Sequence, residues 1–404
     1  MNCNSRVCFA WALALCEMLL LPLAQGNDAE KIASNAKAVL NRTSVQAFEN
    51  ADLDPGRYGV ETPNVQSLIE IEQLANKEDP ADYYRRLKEF NDYPQPNQTD
   101  HWVRYYHHNP ELGTLPYYVY IPPKYDHRKP TGMIVYLNGG INNNKNLAID
   151  ESKPYVMDNP YLEIGKNENL LILHTTVAKR MKWWNNFELR SVHNQLASVK
   201  KIFNVDDSRV WLSGHSDGAT SALAMSATSP APFAAFYPLT GVPNSNRKGN
   251  VKYRPIFFNE ANASPVSEKA AINNTSMIPQ FLDCKRPLLT SEITWEAIQG
   301  LVSGCDWLRV EKVSPSSENE FGRIKASHTG NTIQVETSGI HEFSVRLSPE
   351  MIDFDQPVKV FLNGKVVRDE IVSMEPEVML DLFQRESDRQ QVWCNVLRIL
   401  VPGA

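Results

Sequence analysis

The residues best placed to do chemistry are Gly214-His215-Ser216-Asp217-Gly218. A serine held between glycines in a tight turn presents its hydroxyl clear of the backbone, and it becomes a nucleophile once a positioned base takes its proton. The apolar run Val210-Trp211-Leu212 leads into the turn, and the helix-prone Ala219-Thr220-Ser221-Ala222-Leu223-Ala224-Met225 leads out. This is a strand-turn-helix context, with the hydroxyl at the positive end of the helix. A second glycine-bearing strand end, Asn138-Gly139-Gly140, follows Met133-Ile134-Val135-Tyr136-Leu137. An N–H of Gly139 or Gly140, with that of Asp217, can hold the negative oxygen of a tetrahedral intermediate in acyl transfer. The plain alternatives are a serine in a glycine-rich turn and an ordinary strand-end loop.

The elements that must position these residues are legible as periodicity. Short apolar runs at Tyr117 to Ile121, Met133 to Leu137, Leu170 to His174, Val210 to Leu212, Ala234 to Leu239 and Ile256 to Phe258 alternate with amphipathic stretches. Leu189, Val192, Leu196, Val199 and Ile202 mark one helix over Phe187 to Phe203. The pattern predicts an α/β fold, a mostly parallel sheet flanked by helices. After Trp307 the texture changes to alternation, in Arg323 to Ala326, Thr332 to Val335 and Val358 to Phe361, the last closing on Asn363-Gly364, a hairpin signal. A C-terminal antiparallel β module follows. The expected organisation is a signal peptide over 1–26, a helical lead-in over 27–100, the α/β domain over 101–307 and the β module over 308–404.

The two glycine motifs, with Pro116-Tyr117-Tyr118-Val119-Tyr120-Ile121-Pro122 and Val205-Asp206-Asp207-Ser208-Arg209-Val210, resemble the secreted esterase and depolymerase branch of the α/β-hydrolase superfamily. They are also similar to the related prolyl-oligopeptidase-like peptidase domains, over about residues 115–260. Asn138 stands where the family usually has histidine. The resemblance implies a triad in the order serine, acid, histidine, with the acid after Ile256-Phe257-Phe258. Glu260 is the nearest carboxylate there. No histidine lies between Ser216 and His328, and 259–279 is short for the remaining sheet and a histidine loop, so the final catalytic segment reads as truncated. His328 is the candidate base and His341 a weaker one, both on alternating β segments where a structural histidine is the ordinary reading. The expected activity is a serine esterase acting through Ser216, with Glu260 and His328 completing the triad. The expected substrate is a small-molecule or polymeric ester, including carbohydrate-linked ones. The alternatives are a catalytically impaired binding protein that keeps the hydrolase body, a prolyl-oligopeptidase-like peptidase, and a sequence lacking a coding stretch near 260–280.

Composition narrows the partners. With 404 residues, 42% hydrophobic and 22% charged, and a net charge of −6, the chain is an ordinary globular one with no basic patch for nucleic acid. Arg6, the apolar run Val7 to Ala24 and Ala24-Gln25-Gly26 predict a cleaved signal peptide, hence a secreted or periplasmic protein with no stable membrane insertion; an uncleaved anchor is the alternative. Removal of 1–26 leaves Cys284, Cys305 and Cys394, of which the first two are the nearer pair for a disulfide. No spacing resembles a metal site, and no cofactor is expected. His174 and Trp183-Trp184 are candidates for a pocket mouth or for core packing, His107-His108 for a strand, and Asn41 and Asn97 for glycosylation.

Overall fold

A computed structural model describes residues 66–75, 77–109, 113–139, 159–176, 186–240, 250–258, 277–314 and 321–403. The expected signal peptide, the first part of the expected helical lead-in, Asn41, Gly140, Trp183-Trp184 and Glu260 lie outside them. Two helices come first, α1 (Gln66–Leu74) and α2 (Pro80–Lys88). The Asp79 carboxylate starts α2 by accepting from the Ala81 and Asp82 N–H groups, and Pro80 takes the first helical position, where a missing N–H costs nothing.

The chain then builds a six-stranded sheet from β1 (His101–Asn109), β2 (Gly113–Ile121), β3 (Thr131–Leu137), β4 (Leu171–His174), β5 (Val205–His215) and β6 (Ala235–Thr240), ordered β1-β2-β4-β3-β5-β6. β2 is antiparallel to both its neighbours, while β4, β3, β5 and β6 are mutually parallel. Every residue of β3 and β4 is buried. Their unbroken apolar runs are what a parallel strand covered on both faces requires. α4 (Asn186–Ile202) applies Leu189, Val192, Leu196 and Val199 to the face carrying Val135, Leu137 and Leu212, joined by Ala222 and Met225 of α5 (Asp217–Thr228). The opposite face carries Tyr136, Ile172, Trp211 and Tyr237. Tyr161, before α3 (Leu162–Asn167), and Phe281, in α6 (Met277–Asp283), cover it. Beyond β6, Ile256 adds a single parallel bridge to Phe236, and among the described residues the sheet ends there.

From Glu292 the chain forms two further sheets. β7 (Glu292–Ile298), β10 (Phe321–Thr329), β11 (Thr332–Ser338), β13 (Val358–Leu362) and β14 (Lys365–Glu370) make one, ordered β14-β13-β11-β10-β7. β8 (Ser303–Cys305), β9 (Leu308–Val313), β12 (Ile340–Leu347) and β15 (Asn395–Leu400) make the other, ordered β15-β12-β9-β8. The pairing is antiparallel except between β11 and β13, which run parallel. Inward side chains of the two sheets, among them Trp295, Ile324, Val360, Leu308, Phe343 and Val345, share one core. Asn363 (φ 49°) and Gly364 (φ 77°) turn β13 into β14 with both residues left-handed, the conformation a two-residue hairpin loop demands.

α7 (Pro376–Glu386) ties these layers to the lead-in, where Met379 and Phe383 pack with Ile71, Tyr83 and Leu87. Beneath α7 a buried ion network joins the parts. Asp388 takes Arg286 at 2.6 and 2.8 Å and Lys200 at 3.3 Å, and Lys200 also meets Asp207 at 2.7 Å. Burial works against the Asp388 carboxylate, but Arg286 and Lys200 outweigh it and hold its pKa far below the usual range. Cys284, Cys305 and Cys394 are free thiols, each in a different apolar cluster, so the Cys284–Cys305 staple is not formed.

Candidate active site

β3 and β5 lie side by side, yet β3 leads toward α3 on one face while β5 leads into α5 on the other. Neighbouring strands whose connections part to opposite faces open a crevice at their C-terminal ends, the usual binding position in such sheets. Ser216 follows β5 as the N-cap of α5, and Gly139 follows β3 at that point.

The turn at Ser216 has the strain its role requires. Ser216 adopts φ 50° and ψ −112°, a conformation that side chains other than hydrogen rarely take and that costs on the order of 1–3 kcal/mol. Interlocked glycines hold it there. A Cβ on Gly214 would lie 2.4 Å from the Gly218 carbonyl, and one on Gly218 would lie 2.0 Å from the Leu137 carbonyl oxygen. Neither position tolerates alanine, so the glycine spacing lets α5 start directly against the end of β3. Ser216 is exposed, and its hydroxyl does not cap α5. The first intrahelical bond runs from Thr220 N–H to the Ser216 carbonyl at 3.1 Å, which places the Asp217 and Gly218 N–H groups in the first turn, where a helix supplies no acceptor of its own.

Gly139 reaches the serine. A Cβ on it would meet the His215 carbonyl oxygen at 2.9 Å, His215 Nδ1 at 3.0 Å and Ser216 Cβ at 3.0 Å. The β3 end and the elbow are therefore in van der Waals contact only because residue 139 has no side chain. The buried Asn138 turns its amide onto the Gly139 carbonyl at 3.0 Å, fixing the peptide on which an oxyanion donor would lie. Below, Tyr161 donates to Ser213 Oγ at 2.5 Å and Ser213 to the Tyr237 carbonyl at 2.7 Å, a buried relay that supports β5 one turn of chain before the nucleophile.

The structure does not bring His328 to this point. His328 lies on β10, in a different sheet, with its ring edge-on to Trp307 at 5.5 Å. Both ring nitrogens are buried without a hydrogen-bond partner, so no bond runs from either to Ser216, and burial lowers the pKa. The sequence-based assignment of His328 as base is corrected on that ground: β alternation turned the imidazole into the sandwich core. His341 sits on β12 of the other sandwich sheet with Nδ1 buried and unpartnered. His174 is 4% exposed at the end of β4, packed by Trp102, Tyr118 and Tyr136, with Nδ1 3.1 Å from the Asn159 amide. One strand, β3, separates it from β5, two strand spacings or roughly 10 Å, beyond direct reach of the serine. It is a core residue. His107-His108 fall on β1, as a strand reading expects, and Asn97 is exposed.

One serine–histidine contact escaped sequence reasoning. His193 Nε2 lies 2.9 Å from Ser229 Oγ, joining α4 to the residue that ends α5. Burial, reinforced by Arg309 and Lys200 against Glu386, lowers the His193 pKa to about 4, so the imidazole is neutral but a poor proton acceptor. Ser229 ends α5 rather than starting a helix, and the pair serves as a hydrogen bond rather than as a second nucleophile and base. No signal short of tertiary structure could have paired them. Among the described residues no group of three or more metal-ligating side chains occurs, and no helix is long and apolar enough to cross a membrane.

No protein-family model matches the chain, and no curated protein does. Solved structures overlap part of it. A thermostable esterase is 20% identical over 45% of this chain and 51% of its own, with a TM-score of 0.33, so the chain spans about half of that protein. The fluorophosphonate-binding serine hydrolase F of Staphylococcus aureus is 18% identical over 44% of this chain and 68% of its own, with a TM-score of 0.30. A poly(3-hydroxybutyrate) depolymerase from Bordetella parapertussis is 16% identical over 50% of this chain and 77% of its own, with a TM-score of 0.30.

Proposed function

We propose that the chain is an exported serine hydrolase of the esterase type, with Ser216 as nucleophile. The carrying observation is the strained Ser216 backbone, held by the Gly214–Gly218–Leu137 interlock with Gly139 against it. Such strain persists only where surrounding structure enforces it, and here it falls on an exposed serine at the C-terminal end of β5. Ser216 Oγ attacks the ester carbonyl, its proton passing to a base as the C–O bond forms. The N–H groups of Asp217 and of Gly139 or Gly140 hold the oxyanion, and its collapse expels the alcohol, which takes a proton. Water then releases the acid from the acyl-serine by the same route. Glu260 remains the proposed acid of the triad, while His328, with both ring nitrogens buried and unpartnered, does not serve as its base. The test is hydrolysis of p-nitrophenyl acetate and butyrate by the full chain against Ser216→Ala. Turnover that vanishes in the variant supports the reading, and equal turnover in both overturns it.

A second reading has its own observation. The orphaned nitrogens of His328 leave the elbow without its expected partner, which favours a binding protein that retains the hydrolase body. A folded chain inert toward every ester and every serine-directed phosphonate would establish it.

A further inference from the structure

A cavity of about 450 Å³ opens at the far end of α5 from Ser216, between α4, the β8–β9 layer and α7. The helix between them has 12 residues and is therefore roughly 18 Å long, so the cavity is separate from the crevice. Its size falls in the range of small-ligand sites.

Charge distinguishes it. Five arginines, Arg190, Arg286, Arg309, Arg346 and Arg385, line it against three carboxylates, Asp306, Glu386 and Asp388. Most of these are already matched. Asp306 pairs with Arg254 at 2.6 Å and Asp388 with Arg286 at 2.6 Å, both buried. Arg346 takes both oxygens of Glu386, at 2.8 and 3.1 Å, and Arg385 pairs with Asp381 at 2.7 Å. Arg309 is left over. Its nearest ionic partner among the described residues is Glu386 at 3.9 Å, outside hydrogen-bond range and already committed to Arg346. The Arg309 side chain is 36% accessible, yet burial, with Arg346 close by, lowers its pKa to about 10. A guanidinium offers two parallel donors in a fork that fits an oxyanion. Leu189, Leu301 and the half-exposed Val302 supply apolar lining to the same cavity, and the His193–Ser229 pair supplies a neutral polar part of it.

We infer that this cavity binds a small organic carboxylate, its anion forked onto Arg309 and its apolar body against Leu189, Leu301 and Val302. The site gives Arg309 a hydrogen-bonded anion in place of the distant Glu386, and it recognises both halves of an amphiphilic anion. A bare inorganic anion would satisfy the arginine but leave the apolar lining uncovered.

Isothermal titration of the full chain with benzoate and with inorganic phosphate tests this. Benzoate is expected to bind, and Arg309→Met to weaken it by at least about tenfold, the scale of one charged hydrogen bond. Val302→Trp, which leaves every arginine in place and narrows the apolar side, is expected to abolish benzoate binding in a protein whose thermal transition is retained. Absence of benzoate binding, unchanged affinity in Arg309→Met, or binding of phosphate with none of benzoate would each overturn the inference.

Discussion

Gly139 and Ser216 approach so closely that a single added carbon on the first would lie 3.0 Å from Cβ of the second. The contact joins the ends of two adjacent parallel strands whose connections part to opposite faces, and it places a backbone beside the proposed nucleophile without any side chain between them. Gly139→Ala must push either the Ser216 turn or the β3 end by a few tenths of an ångström. The expected result is a small loss of stability, about 1 kcal/mol, with phosphonate labelling of Ser216 slowed by roughly 100-fold, the scale of one misplaced oxyanion donor. Labelling kinetics beside a thermal melt measure both.

Gly218→Ala is a harsher change. Its Cβ would stand 2.0 Å from the Leu137 carbonyl oxygen, a backbone atom that cannot rotate away. A loss of about 3 kcal/mol or more is expected, at the upper end of overpacking costs, read as a fall in the denaturant midpoint. A variant as stable as the parent would mean that α5 does not start against β3.

His328→Leu is expected to leave labelling and ester turnover unchanged and to hold or raise the melting temperature. Both imidazole nitrogens are buried without partners, and replacing them with carbon removes a desolvation cost of about 1–3 kcal/mol. Loss of turnover without loss of fold would restore the histidine to the mechanism.

Two pH windows follow from buried groups. His193 titrates near 4 in the folded chain, against about 6.5 when unfolded. The unfolded state therefore takes up the proton first, and stability falls as pH drops from about 6.5 to about 4; His193→Gln should flatten that segment. Asp388 behaves as a depressed carboxylate. Its contribution is full above the unfolded value of about 3.9 and is lost as pH falls toward its much lower folded value. Asp388→Asn at neutral pH leaves Arg286 and Lys200 buried without their charge partner and is expected to cost about 3–5 kcal/mol, measured by denaturant melts from pH 3 to 8.

Local signals carried much of this architecture. Two glycines around Ser216 encode a turn that only they permit, Met133 to Leu137 encodes a strand buried on both faces, and Asn363-Gly364 encodes a hairpin loop. Each is decided within a few residues of chain. β7 falls before the boundary that the change of texture after Trp307 suggests, although Glu292 to Ile298 carries the same alternation, pairs with β10 and sends Ile293, Trp295 and Ala297 into the sandwich core. His328 was misread because its place in the order after Ser216 fits a triad, but the sheet face it occupies is set by Trp307 and the β10 register. The arginine-lined cavity draws on α4, β9, β12 and α7, segments up to about 200 residues apart, and no spacing rule connects Arg190 with Glu386.

The most direct test of the central claim is reaction of the purified chain with a fluorophosphonate, with the modified residue located by peptide mass spectrometry. The expected result is one adduct, on Ser216, absent from Ser216→Ala and present in His328→Leu. A folded chain that carries no adduct, or one whose adduct lies on another serine such as Ser229, would contradict the assignment of Ser216 as nucleophile.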